Sequence, residues 1–138
     1  MKAMIDTNVL LDIYLVRDEF VDDGLEVLRL IESKQLHGLV TAKMVTDVYY
    51  IMHRQIKDLE ELKRFVREIL HVFKVMDVTA KDIHVALALP MMDFEDALLA
   101  QCAKRAKAEY IITRNIKDFA GSPVPAITPA AFVQRFAA

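Results

Sequence analysis

Short apolar runs alternate along this chain with longer segments of helical period, and that alternation limits its folds more than any other feature. Residues 2 to 6 read as a strand and 9 to 15 as a short helix. "VDDGLEVLRLIESK" reads as a longer helix, with apolar residues at 25, 27, 28, 30 and 31 on one face. After a strand at 38 to 40, "AKMVTDVYYIMHRQI" and "LEELKRFVREILHVF" both carry the helical period and make a pair. A strand at 74 to 78 precedes a helix at 80 to 89, which Pro90 ends. A long helix runs from Asp93 to about residue 108. "EYIIT", β-branched and aromatic with charge on its flanks, is the clearest strand in the chain. "VPAIT" makes a last strand, and Pro129 opens a final helix at its first turn. Strands separated by helices imply an α/β fold whose parallel sheet is wrapped on both faces.

Residues 1–138, 54% of them apolar, suffice for one domain with a substantial core. Only three glycines and four prolines punctuate them, so helices should be long and loops short. No apolar run is long enough for a membrane span; residues 85 to 92 form one of the longest. The chain passes from Met1-Lys2 straight into a strand, and we expect no signal peptide. Its single cysteine, Cys102, excludes an internal disulfide and fits a reducing cytoplasm. Within the apolar helix "DALLAQCAKRA" it reads as a buried, inert thiol. A net charge of −2 does not advertise a nucleic-acid binder, but it allows one if the acids gather in a site with bases around it.

Acids such as Glu60, Glu61 and Glu68 fall on solvent-facing helical positions and need no special role. Four other places differ. Asp6 ends the first strand where a helix is about to start, and Asp47 lies near the start of the third helix, soon after Thr41. Asp93 and Asp96 open the long helix, and Asn115 and Asp118 follow "EYIIT". Each has a local reading. Asp6 can cap a helix, and Asp93 with Asp96 approximates a capping box at a helix's positive end. Asp47 can be an exposed carboxylate on an amphipathic helix, and "TRNIKDF" an ordinary turn. In a parallel α/β fold, however, strand ends and the helix starts after them share one edge, where ligands bind. Four polar positions from distant parts of the chain then converge there, which scattered solvent charges would not do.

"IDTNVLLD", "DFEDALLAQCA" and "YIITRNIKDF", in this order and spacing, resemble the PIN domain family across essentially the whole chain. These are metal-dependent nucleases that include the toxin half of VapBC toxin–antitoxin pairs. The resemblance implies a PIN-like three-layer α/β/α sandwich, with a central twisted parallel sheet of four or five strands. It also implies an acidic end of that sheet that holds Mg²⁺ or Mn²⁺. Carried across, the catalytic set is Asp6, Asp47, Asp96, Thr113 and Asn115, and the metal ligands are Asp6 and Asp96 with Asp93 and Asp118 close by. Two departures stand out. The family more often has Glu where this chain has Asp47, and often Asp where it has Asn115. The second removes a charge that Asp118 would have to supply.

Hard divalent cations prefer oxygen ligands and keep several waters, so one or two direct carboxylates suffice. Clustered carboxylates without a cation repel one another. His37, His53, His71 and His84 show no metal-ligand spacing, which argues against zinc. Lys43, Arg54, Lys57, Arg114 and Lys117 border the expected site and could touch phosphates. Tyr49, Tyr50 and Phe119 could stack on an unpaired base, although helical spacing favours core packing. The resemblance implies an RNA substrate, a homodimer, and a cognate antitoxin that covers the acidic edge; a mean hydropathy of +0.23 in so charged a chain is consistent with apolar surface for association.

Two alternatives belong to other classes. A PIN-like module that binds RNA or a partner without cleaving would be marked by loss of two or more acids, and here only position 115 is weakened. A phosphoacceptor signalling domain needs an acidic pair after its first strand and a Lys after its fifth, and neither is present.

Overall fold

The computed structural model describes residues 1–137. Five parallel strands form one sheet in the order β3-β2-β1-β4-β5. They are β1 (Lys2–Ile5), β2 (His37–Thr41), β3 (Lys74–Met76), β4 (Tyr110–Ile112) and β5 (Ala126–Ile127). The helices between and after them are α1 (Thr7–Tyr14), α2 (Val21–Glu32), α3 (Ala42–His53), α4 (Leu59–Val72), α5 (Ala80–Leu87), α6 (Phe94–Arg105) and α7 (Pro129–Phe136). The α/β class and the parallel sheet expected from the sequence are both present.

The sheet core is made by residues that strand propensity and burial both favour. Ala3, Met4, Ile5, Val40, Ile111 and Ile112 are sealed from solvent, as are Val9 and Leu10 of α1. From Val9 to Tyr14 every residue of α1 is buried, Asp12 among them. That helix is therefore packed on all sides, against α2 and α3 among others. Gly24 permits the approach of α2, since a Cβ there would meet Ile13 Cγ1 at 2.8 Å.

Three boundaries differ from the sequence reading. The long helix stops at Arg105, because Lys107 turns into the left-handed region at φ 62° and ends it. β3 and β5 are shorter than the apolar runs that mark them. The turn after "EYIIT" is a one-turn 3₁₀ helix, Ile116–Phe119.

Topology fixes where a ligand can sit. The chain leaves β1 toward β2 and β3 on one side and later returns to place β4 and β5 on the other. Strand order thus reverses at β1, and its carboxyl end opens on the crevice that such reversals create.

Candidate active site

Ile5 lies opposite Ile112 in the β1–β4 ladder, and the Asp6 amide donates to the Ile112 carbonyl at 3.0 Å. That register brings Asp6 beside Thr113, whose Oγ1 donates to Asp6 Oδ2 at 2.8 Å. The other carboxylate oxygen, Oδ1, accepts from the Thr7 amide at 2.8 Å and caps α1. The local reading of Asp6 is thus correct, but it accounts for only one of the two oxygens. On the other side of β1, Thr41 ends β2 and caps α3 by accepting from the Met44 amide at 3.1 Å.

α6 begins beside this edge. Asp93 is its N-cap and accepts from the Asp96 amide at 3.0 Å. The reciprocal bond of a full capping box belongs to α5 instead, between Thr79 and Asp82. Asp96, one turn into α6, is free of that duty and lines a cleft of about 550 Å³ with Asp6, Asn8, Asp47, Arg54 and Glu95. Burial raises the pKa of Asp6, against the opposing effect of its hydrogen bonds from Thr113 and Thr7. Asp96 is pushed up to about 6, first by burial and then by the charges of Asp93, Asp6, Asp118 and Glu95. Five carboxylates from three separate segments therefore sense one another here.

The remaining expected residues are placed unequally. Asp47 lines the cleft, but Lys43 one turn earlier holds it at 2.7 Å and lies 3.9 Å from Glu95. Thr113 is fully buried beneath Asp6; Asn115, the N-cap of the 3₁₀ turn, and Asp118 within it are exposed, and neither lines the cleft. Arg54 and Tyr50 are exposed at the cleft, and Lys117 is exposed beside Asp118. Phe119 is core. Arg114 does not stand free as a surface cation. Its Nε donates to buried Asp12 at 2.6 Å and its guanidinium lies 3.9 Å from the centre of the Phe20 ring.

Sequence reasoning misses Glu95, Asn8 and Asp12. Glu95 stands in plain view in "DFEDA", while Asp12 closes the motif "IDTNVLLD" with nothing in the sequence to name its partner.

Among the described residues, no three His, Cys, Asp or Glu side chains are drawn together tightly enough to enclose a metal ion as they stand. The donor chemistry still fits one. Asp6 and Asp96 present hard oxygens in a half-buried, negatively charged cleft, and the lysine lining it, Lys43, is engaged by Asp47. A Mg²⁺-sized ion that keeps most of its water needs no more than two such ligands.

An open parallel α/β domain with a carboxylate cleft at its switch point defines the class. The family model described as "PIN domain" matches residues 2–117, and the chain belongs to that family. It is similar over its length to Ribonuclease VapC1 of Aquifex aeolicus, at 21% identity over 140 residues, covering 98% of this chain and 95% of that protein. In fold it is similar to VapBC2 from Rickettsia felis, solved bound to a promoter DNA fragment (TM-score 0.72, 20% identity, 93% of this chain and 98% of that one). It is likewise similar to Mycobacterium tuberculosis VapC20, a Sarcin-Ricin loop cleaving toxin (TM-score 0.71, 16% identity, 92% and 99% covered).

Proposed function

We propose that this PIN domain is a Mg²⁺- or Mn²⁺-dependent endoribonuclease of the VapC type, the toxin of a toxin–antitoxin pair. The observation that carries the reading is the meeting of Asp6 and Asp96 in one cleft, with Thr113 fixing the orientation of Asp6. The likeness to Ribonuclease VapC1 along nearly the whole of both chains supports the same activity.

In this reading Asp6 and Asp96 would hold the cation, and the charges of Asp93 and Asp118, which already act on Asp96, would add negative potential. What the cation supplies is a more acidic water and charge neutralisation at the scissile phosphate. The protein's part is orientation. Thr113 and the Thr7 amide fix both oxygens of Asp6, so its carboxylate cannot rotate away. Arg54 and Lys117 hold flanking phosphates, and Tyr50, exposed at the cleft, offers a face for an unpaired base. Lys43 pairs with Asp47 at 2.7 Å and offsets its charge beside the cleft.

The partners follow from the same reading: RNA as substrate, a second copy as homodimer, and an antitoxin that covers the acidic cleft with a basic side chain. The compartment is the cytoplasm, consistent with one cysteine, Cys102, whose thiol is pushed up to about 11 by burial and by Asp82. No described helix is long and apolar enough to cross a membrane. Neutral Asn115 and the Lys43–Asp47 pair favour a second reading, a weakly active module that binds RNA. Cleavage of unstructured RNA with Mn²⁺ and with a chelator decides between them. Chelator-sensitive cleavage lost in Asp96→Asn supports the nuclease, and binding without cleavage supports the module.

A further inference from the structure

We propose that Asp12 is a positioning residue of the cleft, acting through the Arg114 side chain to hold the 113–118 segment against Asp6. The proposal rests on the nuclease reading above.

Asp12 lies in α1 and is only 1% exposed, so its charge has to be paired where it is. It does not line the cleft. Its oxygens receive Arg114 Nε at 2.6 Å, Arg114 Nη2 at 3.3 Å and Arg17 Nη1 at 3.4 Å. The Arg114 guanidinium is further pinned over Phe20. A planar fork gripped at two nitrogens and stacked on a ring has little freedom left.

Arg114 sits between the two residues whose placement matters. Thr113 on one side donates to Asp6, and the Asn115 amide on the other donates back to Thr113 Oγ1 at 3.1 Å. Asn8, one turn before Asp12 on the same face of α1, also reaches this segment. It accepts from the Arg114 amide and donates to Thr113 Oγ1, but both distances are 3.4 Å. Those contacts are at the long end for hydrogen bonds, whereas the charged fork at 2.6 Å is short and strong. Of the two attachments of α1 to the strand end, the Asp12–Arg114 pair is the firmer. The Thr113 backbone stays in the sheet through its amide bond to the Ile127 carbonyl at 2.9 Å. Slackening the pair would therefore free residue 114 and Asn115 and loosen the hydroxyl of Thr113 from the Asn115 amide; displacements near 1 Å cost about a hundredfold in rate.

The test compares wild type with Asp12→Asn, Arg114→Lys and the neutral pair Asp12→Asn/Arg114→Gln, which leaves no unpaired buried charge if a single change prevents folding. Steady-state cleavage of an RNA fragment is read together with amide hydrogen exchange over 113–119 and over β1 and β2. Positioning predicts that kcat falls about 10- to 100-fold while KM stays within about twofold. It also predicts faster exchange at 113–119 with β1 and β2 still protected. Arg114→Lys keeps the charge but not the fork, and should show most of the same loss. Unchanged kcat in the neutral pair, or exchange that quickens equally in β1 and β2, overturns the proposal. Asp6→Asn is the control: if it cleaves like wild type, the reading of the cleft fails, and the exchange pattern still decides whether Asp12 positions the segment.

Discussion

Asp6 divides its two oxygens between different tasks: Oδ1 caps α1 at Thr7, and Oδ2 is held by Thr113 from the neighbouring strand. Asn can keep the capping bond but not the charge. Asp6→Asn should therefore fold with wild-type circular dichroism and melt within a few degrees of wild type. Its RNA cleavage should drop by more than about a hundredfold, since even outer-shell partners of a metal site cost up to that much. Normal turnover would reduce Asp6 to a helix cap.

The carboxylates around Asp96 should make the metal-free protein less stable than it could be. Asp96→Asn removes a charge that burial and four neighbouring acids disfavour, so it should melt higher than wild type in chelator. Adding Mn²⁺ should reverse the order. A ligand at about a hundred times its Kd adds about 2.7 kcal/mol, on the order of 10 °C for a chain of this size. Thermal melts of both proteins with and without millimolar Mn²⁺ check this, and curves indifferent to Mn²⁺ count against the site.

Asn115 and Asp118 sit three residues apart at a 3₁₀ turn, where the Asp118 amide donates to the Asn115 carbonyl at 3.0 Å. Asn115 is the N-cap of that turn, at φ −109° and ψ 63°, and the bond closes the loop on Asp118, so that both side chains can serve one cation. Asn115→Asp should tighten Mn²⁺ binding. Asp118→Asn should weaken it in the native sequence, and matter less once the Asn115→Asp change is in place. Titration calorimetry on the four proteins of this double-mutant cycle reads the coupling as non-additivity. Additive effects would leave the two positions independent.

Asp82 gives a prediction about acid. It is fully buried, and although burial opposes its charge, hydrogen bonds from Arg105, the Thr79 amide and Gln101 hold its carboxyl well below the usual range. A lowered carboxyl contributes stability above its unfolded value, near pH 4, and that contribution is lost as pH falls below it. Asp82→Asn should cost about 2 kcal/mol at pH 7, because Arg105 loses a charged partner. The variant should also lose less stability than wild type between about pH 5 and pH 2. Urea titrations across that range would show the two curves converging. Parallel curves would contradict the pairing.

Legibility in the sequence follows distance along the chain. Helix and strand periods are local, so every strand and helix expected from the pattern is found, with ends trimmed where Lys107 or a short ladder intervenes. The edge on which the acids gather is readable for the same reason, because each follows a strand or opens a helix. Pairings between distant residues are not. Arg114 reads as a surface cation, because nothing in "TRN" tells that an aspartate buried in α1 lies opposite it. Asp82 draws no attention in the sequence, yet it anchors α5 to the end of α6. Lys43 reads as a phosphate contact, although helical spacing alone already offers Asp47 as its partner.

The central position of β1 has a consequence in time. β1 leaves the ribosome well before β4, yet it is complete only when β4 slides in beside it. A nascent chain that holds only β1 to β3 has Asp6 facing an open edge, without Thr113 to orient it and without α6 to bring Asp96. Pairings across so much sequence also form slowly. While everything between those two strands is being translated, the growing chain lacks the assembled cleft. On the proposed reading, cleavage is a property it acquires late.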